Sequence, residues 1–233
     1  MTLRADDLRV QAAARPRAAR AWWPGVAVVL LIGLLARLPL LAVDLRTSAD
    51  VQIYQQWARA IAAHGLVEVY DHTTTHYPPL LLYLFGAAAS LAGPPALSAT
   101  STDSPALIAL LKLPSLLADL LTAALLAWAL RARGPTIAVA ACALYALSPA
   151  VLYVSSIWGQ TDSVYTLFLV ASVVALDRGA YGPAWVGYAL ALGTKIQSIA
   201  LAPLLLGLAS FRAGRRGLAA CTVGVATWGL LAA

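Results

Sequence analysis

"PALIALLKLPSLLADLLTAALLAWAL", residues 105–130, carries only two charged side chains, Lys112 and Asp119. A bilayer core takes about 20 apolar residues per helix. The run is therefore one membrane span and too short for two. The whole chain agrees with its most apolar segment. It is 61% hydrophobic and 11% charged, with a mean hydropathy of +0.78, whereas soluble domains carry about 25% charged residues. The expected fold class is all-α, a polytopic transmembrane helical protein.

Working outward, residues 22–43 form a first span, with Trp22 and Trp23 as interfacial anchors. Before it lies an Arg-rich tail, residues 1–21, expected in the cytoplasm. The apolar run after this tail is longer than a signal-peptide core of about 7–15 residues, so it is expected to be retained. Residues 22–233 make one transmembrane domain, with an external loop at 44–76. In that loop Val51, Tyr54, Ala58 and Ile61 repeat at helical spacing, Asp50 stands in the first turn and Gly65 closes the run. This predicts an amphipathic helix lying on the membrane. Further apolar runs are 77–93, 135–156, 163–176 and 183–210, and another begins at 217 and continues to Ala233.

The net charge of +6 comes from Lys112, Lys195 and 14 arginines against ten acids. Arg131, Arg133, Arg178, Arg212, Arg215 and Arg216 punctuate the spans, and positive charge marks the cytoplasmic side. With the N-terminus inside, Asp50 falls outside and Arg131 inside, so 77–93 is expected not to cross. Run 183–210 is expected to leave and return as two half-length helices broken near Gly193-Thr194-Lys195. Asp50, His76-Tyr77-Pro78-Pro79, the turn from Trp158 to Asp162, and Lys195 then converge on the external side. No basic face is interleaved with aromatics, so no nucleic-acid partner is expected. Cys142 and Cys221 lie in apolar runs and read as small core residues.

Each polar residue carries two readings. Asp50 is a candidate general base, for which a carboxylate must reach the acceptor proton, or a helix cap. His76 and Tyr77 are held at a cavity mouth by a rigid turn, or merely precede a helix opened by Pro79. Trp158, Gln160 and Asp162 bind a sugar, or supply an interfacial tryptophan and a cap. Lys195, with Gln197 two residues on, needs an anionic partner such as a lipid phosphate. Lys112 and Asp119 are ionisable groups inside a span, two turns apart on one helical face; they are functional groups, or a mutual or shared polar contact that glues helices. His64 and His72 have no evident partner in the sequence, and metal binding is one open reading.

Five stretches in order resemble the GT-C glycosyltransferases: "SADVQIYQQWA", "HYPPLLLYL", "LLKLPSLLADLLTAALLAWAL", "ALSPAVLYVSSIWGQTDSVYTLFL" and "ALALGTKIQSIALAPLLL". The likeness is to bacterial mannosyl- and glucosyltransferases and to the dolichyl-phosphate-glucose enzymes, over roughly residues 25–210. It implies a membrane hexosyltransferase that moves a hexose or pentose from a polyprenyl-phosphate-sugar donor to a glycan or lipid acceptor, with inversion. Asp50 would be the catalytic base. Tyr54, His76, Tyr77, Trp158, Gln160, Asp162, Lys195 and Gln197 would bind substrate, with Lys195 near the donor phosphate. No cofactor is required. Paired carboxylates are missing after Asp50, so no metal site is implied, although a divalent ion fits the chemistry. The composition and the resemblance place the protein in a bacterial inner membrane, with its site on the external face and the chain incomplete at its C-terminus. A flippase for lipid-linked sugars, or an inactive membrane scaffold, is the alternative.

Overall fold

The computed structural model describes residues 22–46, 49–98 and 104–233. The Arg-rich tail 1–21 lies outside them. The described residues form helices and no strands. The helices are α1 (Trp23–Leu41), α2 (Asp50–His64), α3 (Val69–His72), α4 (Pro79–Leu97), α5 (Pro105–Leu130), α6 (Pro135–Ala146), α7 (Pro149–Leu152), α8 (Asp162–Asp177), α9 (Tyr181–Thr194), α10 (Ala202–Ala219) and α11 (Cys221–Ala232). Trp23–Leu41, Pro79–Leu97, Pro105–Arg133 and Ile196–Ala219 are long and apolar enough to cross a membrane. Helices α6 and α7, with the π-helical Tyr153–Trp158, make a fifth such segment, bent by 40°. The protein is a multi-pass helical membrane protein.

The amphipathic helix forms where its periodicity places it. Val51, Tyr54, Ala58 and Ile61 are all buried along one face of α2, together with Gln55 and Trp57. Gly65 ends it at φ +91°, its N–H closing on the Ile61 carbonyl at 2.8 Å, a backbone that glycine adopts without steric cost. This face packs on Leu81, Leu82 and Phe85 of α4 and on Leu107 and Leu111 of α5.

Helix α4 begins and ends beside α2. The ring of Tyr77, just before it, lies 5.2 Å from that of Trp57. After it, the Ser104 N–H donates to Gln55 Oε1 at 3.3 Å. The residues just before α4 and just before α5 therefore both contact α2. Gly93 breaks α4 at φ +74°, so the straight part 79–92 is about 21 Å long at 1.5 Å per residue.

The opposite end of the bundle is basic. Trp128, near the end of α5, lies between two guanidinium groups, with Arg131 4.6 Å and Arg178 3.4 Å from the ring centroid. Arg212 pairs with Asp177 there at 3.1 Å.

The break expected at 193–195 is present: Lys195 is extended between α9 and the 3-10 turn Ile196–Leu201. The segment after the break is not a half-length helix, because Ile196–Ala219 is itself long enough to span. Lys112 and Asp119 make the polar contacts between helices that are one reading of them, but not the mutual contact. They share a face of α5 but do not meet each other. Lys112 Nζ donates to the carbonyls of Leu40, Val43 and Ser156, while Asp119 pairs with Arg37 of α1 at 3.2 Å. Buried carbonyls and charges bind whatever neighbouring helix offers the complement, which spacing along one helix does not specify.

Candidate functional site

The polar residues gather at the α2 end of the bundle in two adjoining groups. The first is built on the turn 158–160. Gly159 sits at φ +82°, and a Cβ there would lie 2.4 Å from Val51 Cγ2. Glycine alone lets this turn lie flat against α2. Asp50 Oδ2 then accepts hydrogen bonds from the Trp158 indole and from the Gln160 amide, the latter at 2.9 Å. Tyr54 donates its hydroxyl proton to Gln160 Oε1 at 3.2 Å, and Ser115 donates to the Gln160 carbonyl at 3.0 Å. Burial pushes the Tyr54 phenol pKa well up, with the Tyr77 hydroxyl and the Asp50 carboxylate adding to the effect.

This arrangement removes the capping readings. The residue before α2 is Ala49, and no side chain caps that helix. Thr161 precedes α8, again without a side-chain cap. Asp50 instead accepts from side chains arriving 108 and 110 residues later in the chain. Asp162 is turned to Lys195, with which it forms an ion pair.

The second group surrounds that ion pair. Lys195 Nζ stands 5.7 Å from the Tyr77 ring centroid and 5.9 Å from that of Tyr165. His76, Tyr77, Pro78, Lys195, Ile196 and Gln197 line a cavity of about 130 Å³. Gln197 lies in the same wall. Tyr77 joins the two groups, with its ring edge-on to that of Tyr54 at 6.3 Å. Its carbonyl accepts from the Tyr70 hydroxyl at 2.9 Å. Ile196 also lines an apolar groove of about 300 Å³ with Trp185, Tyr188, Leu192, Ile199 and Trp228. A polar cavity, holding one lysine and three aromatic or amide side chains, thus lies beside an apolar groove, with Ile196 in the wall of both.

The nine residues to which the resemblance gave a catalytic or binding role all lie in these two groups. Reading the sequence missed Ser115, Tyr165 and Arg37. An arginine inside a strong apolar run is the available signal for Arg37, since ionisable groups within a span are costly and have partners. His64 and His72, which looked partnerless, stack ring on ring at 3.8 Å.

Residues 40–231 match the family model described as GPI transamidase subunit PIG-U. No curated protein and no solved structure matches the chain. The family match overturns the GT-C reading. It replaces the hexosyltransferase activity, the polyprenyl-phosphate-sugar donor and its acceptor, and the mannosyltransferase of a bacterial cell envelope. The flippase and scaffold alternatives gain no support from it either. The physical reason is that the five stretches encode a general solution. An aspartate opening a surface helix, a Tyr-Pro-Pro turn, a polar turn between spans and a lysine in a helix break build a polar cavity at a membrane face. They do not encode what is done there.

Proposed function

The chain belongs to the PIG-U family, and from that premise we propose that it is a membrane-embedded subunit of a GPI transamidase that holds the head of a glycosylated phospholipid. The observation that carries this reading is the adjacency of the Lys195 cavity and the apolar groove, which share Ile196 as a wall. A GPI-type lipid combines phosphate, sugar hydroxyls and acyl chains. Lys195 supplies the cation for phosphate, and Gln197 and His76 supply hydrogen bonds. Tyr77 supplies a ring face for a sugar, and Trp158, 36% exposed, supplies another. The groove takes a chain. Asp50, fixed by Trp158 and Gln160, shapes the wall by holding the turn 158–160 in place. On this reading the arginines around Trp128 face the cytoplasm, as the positive-inside rule requires. The cavity opens on the opposite face, the face at which Tyr77 precedes α4 and Ser104 precedes α5.

The test is a binding measurement on detergent-purified chain. A short-chain GPI analogue, phosphatidylinositol and phosphatidylcholine are each titrated while thermal stability is read. The GPI analogue is expected to stabilise most, and Lys195→Met is expected to remove that stabilisation. Equal stabilisation by all three lipids, or an effect that survives Lys195→Met, would overturn the reading. Co-purification with the other transamidase subunits tests assembly separately.

A further inference from the structure

His64, Glu68 and His72 bring their ligand atoms to within 4.8 Å of one another, and all three residues are exposed. They come from three pieces of backbone: the last turn of α2, the connection after Gly65, and the end of α3. Two imidazoles stacked at 3.8 Å, 17° from parallel, stand beside a carboxylate, so that three metal-ligating groups are gathered at one surface point. Two nitrogens and one oxygen are ligands that Zn²⁺ accepts at about 2.0–2.2 Å, with water completing a tetrahedron. Binding requires the two imidazoles to leave their stack and turn their nitrogens toward one point.

The backbone beneath is already fixed. Val69 has no exposed surface and packs in the α2–α4 core. Thr73 Oγ1 donates to the Val69 carbonyl at 2.8 Å. The Tyr70 hydroxyl reaches the Tyr77 carbonyl. Ligands on a turn anchored through Val69, Tyr70 and Thr73 lose less freedom on binding than ligands on an unanchored one, which favours affinity.

We propose that His64, Glu68 and His72 form a divalent-cation site, for Zn²⁺ first among the first-row metals, that clamps the turn 65–72 onto the end of α2. The site is separate from the Lys195 cavity but connected to it, because Tyr70 in the clamped turn holds Tyr77. The proposal stands whether or not the cavity binds a glycolipid.

Metal-stripped full-length chain in detergent is titrated with Zn²⁺ against a fluorescent chelator, and with Co²⁺ followed by visible absorption. One Zn²⁺ per chain is expected, with a Co²⁺ spectrum of a nitrogen- and oxygen-ligated site. His64→Gln and His72→Gln, both at the surface, are expected to lose more than the about 10- to 100-fold that outer-shell changes cost. Glu68→Gln is expected to lose less, and His76→Ala, the remaining histidine, nothing. Binding weaker than about 0.1 mM in the wild type would overturn the proposal. So would stoichiometric binding that both histidine variants retain. Thermal unfolding of the variants without metal separates a lost site from a lost fold, since these side chains contribute no buried contact.

Discussion

Arg37 and Asp119 stand 82 residues apart in the chain and meet inside the bundle, Nε at 3.3 Å and Nη2 at 3.2 Å from Oδ2, with neither side chain exposed. The other guanidinium nitrogen donates to the carbonyls of Gly33 at 2.9 Å and Ala146 at 2.8 Å. One arginine thus joins α1, α5 and the end of α6, where the chain bends before Pro149. Losing one member of such a pair leaves a buried charge without its partner, at a cost of about 3–5 kcal/mol. Arg37→Leu and Asp119→Leu are each expected to lower unfolding free energy in detergent by that order. The double variant, with no orphaned charge, is expected to recover most of it. Additive losses in the double variant would show that the pair contributes packing rather than charge balance.

Gly159 holds the candidate site together by its lack of a side chain. Alanine at φ +82° costs about 1–2 kcal/mol of backbone strain. Its Cβ would also press on Val51 Cγ2 at 2.4 Å, adding about 1–3 kcal/mol of overpacking. Gly159→Ala is expected to destabilise by the sum and to shift Trp158 fluorescence as the turn lifts off Asp50. Removing the obstructing methyls with Val51→Ala is expected to return the overpacking part but not the strain. Unchanged stability in Gly159→Ala would mean that the turn does not seat on α2.

The α2 face was legible in the sequence because burial there follows one period. Val51, Tyr54, Ala58 and Ile61 repeat along a single helix, and local geometry decides which side they share. The break at Lys195 was placed from the arginines that flank run 183–210, which called for a segment that turns back, although the part after the break is long enough to span. The partners of the buried charges were not legible. Lys112 takes three carbonyls from two other segments, and Asp119 takes Arg37, because crossing helices bring them together and no spacing within α5 records that. The cavity was found from its residues, yet its use was misread as sugar transfer. The residues specify polarity, aromatic surface and charge, and those serve lipid-head binding as well as chemistry.

Asp162 neutralises Lys195 in the resting site, and that fixes the sign of a charge effect. The Asp162 side chain is 37% exposed, so solvent weakens the pair and its worth is at most about 1 kcal/mol. If Lys195 receives a lipid phosphate, Asp162→Asn is expected to strengthen binding of an anionic headgroup, by no more than about fivefold. Stability should be nearly untouched, and phosphatidylcholine should bind as before. Weaker anionic-lipid binding in Asp162→Asn, with the fold intact, would show that Asp162 positions Lys195 rather than competing for it.

Tyr54 makes the α2 end sensitive to high pH. Its phenol is held above the ordinary 10.0 by burial first, then by Tyr77 and Asp50. The folded protein therefore keeps this proton to a higher pH than the unfolded chain does. Below about pH 10 both states carry it and the stability is whole. Above that, the unfolded chain ionises first, and stability falls as pH rises toward the folded value. Tyr54→Phe removes the ionisation together with the hydrogen bond to Gln160. It is expected to start about 1 kcal/mol less stable at neutral pH, the usual net worth of one hydrogen bond, and to lose stability less steeply above pH 10. Unfolding in detergent, measured from pH 7 to 11, reads both effects. Parallel curves for wild type and Tyr54→Phe would mean that the phenol ionises in the folded protein as easily as in the unfolded one, and that water reaches it beneath α2.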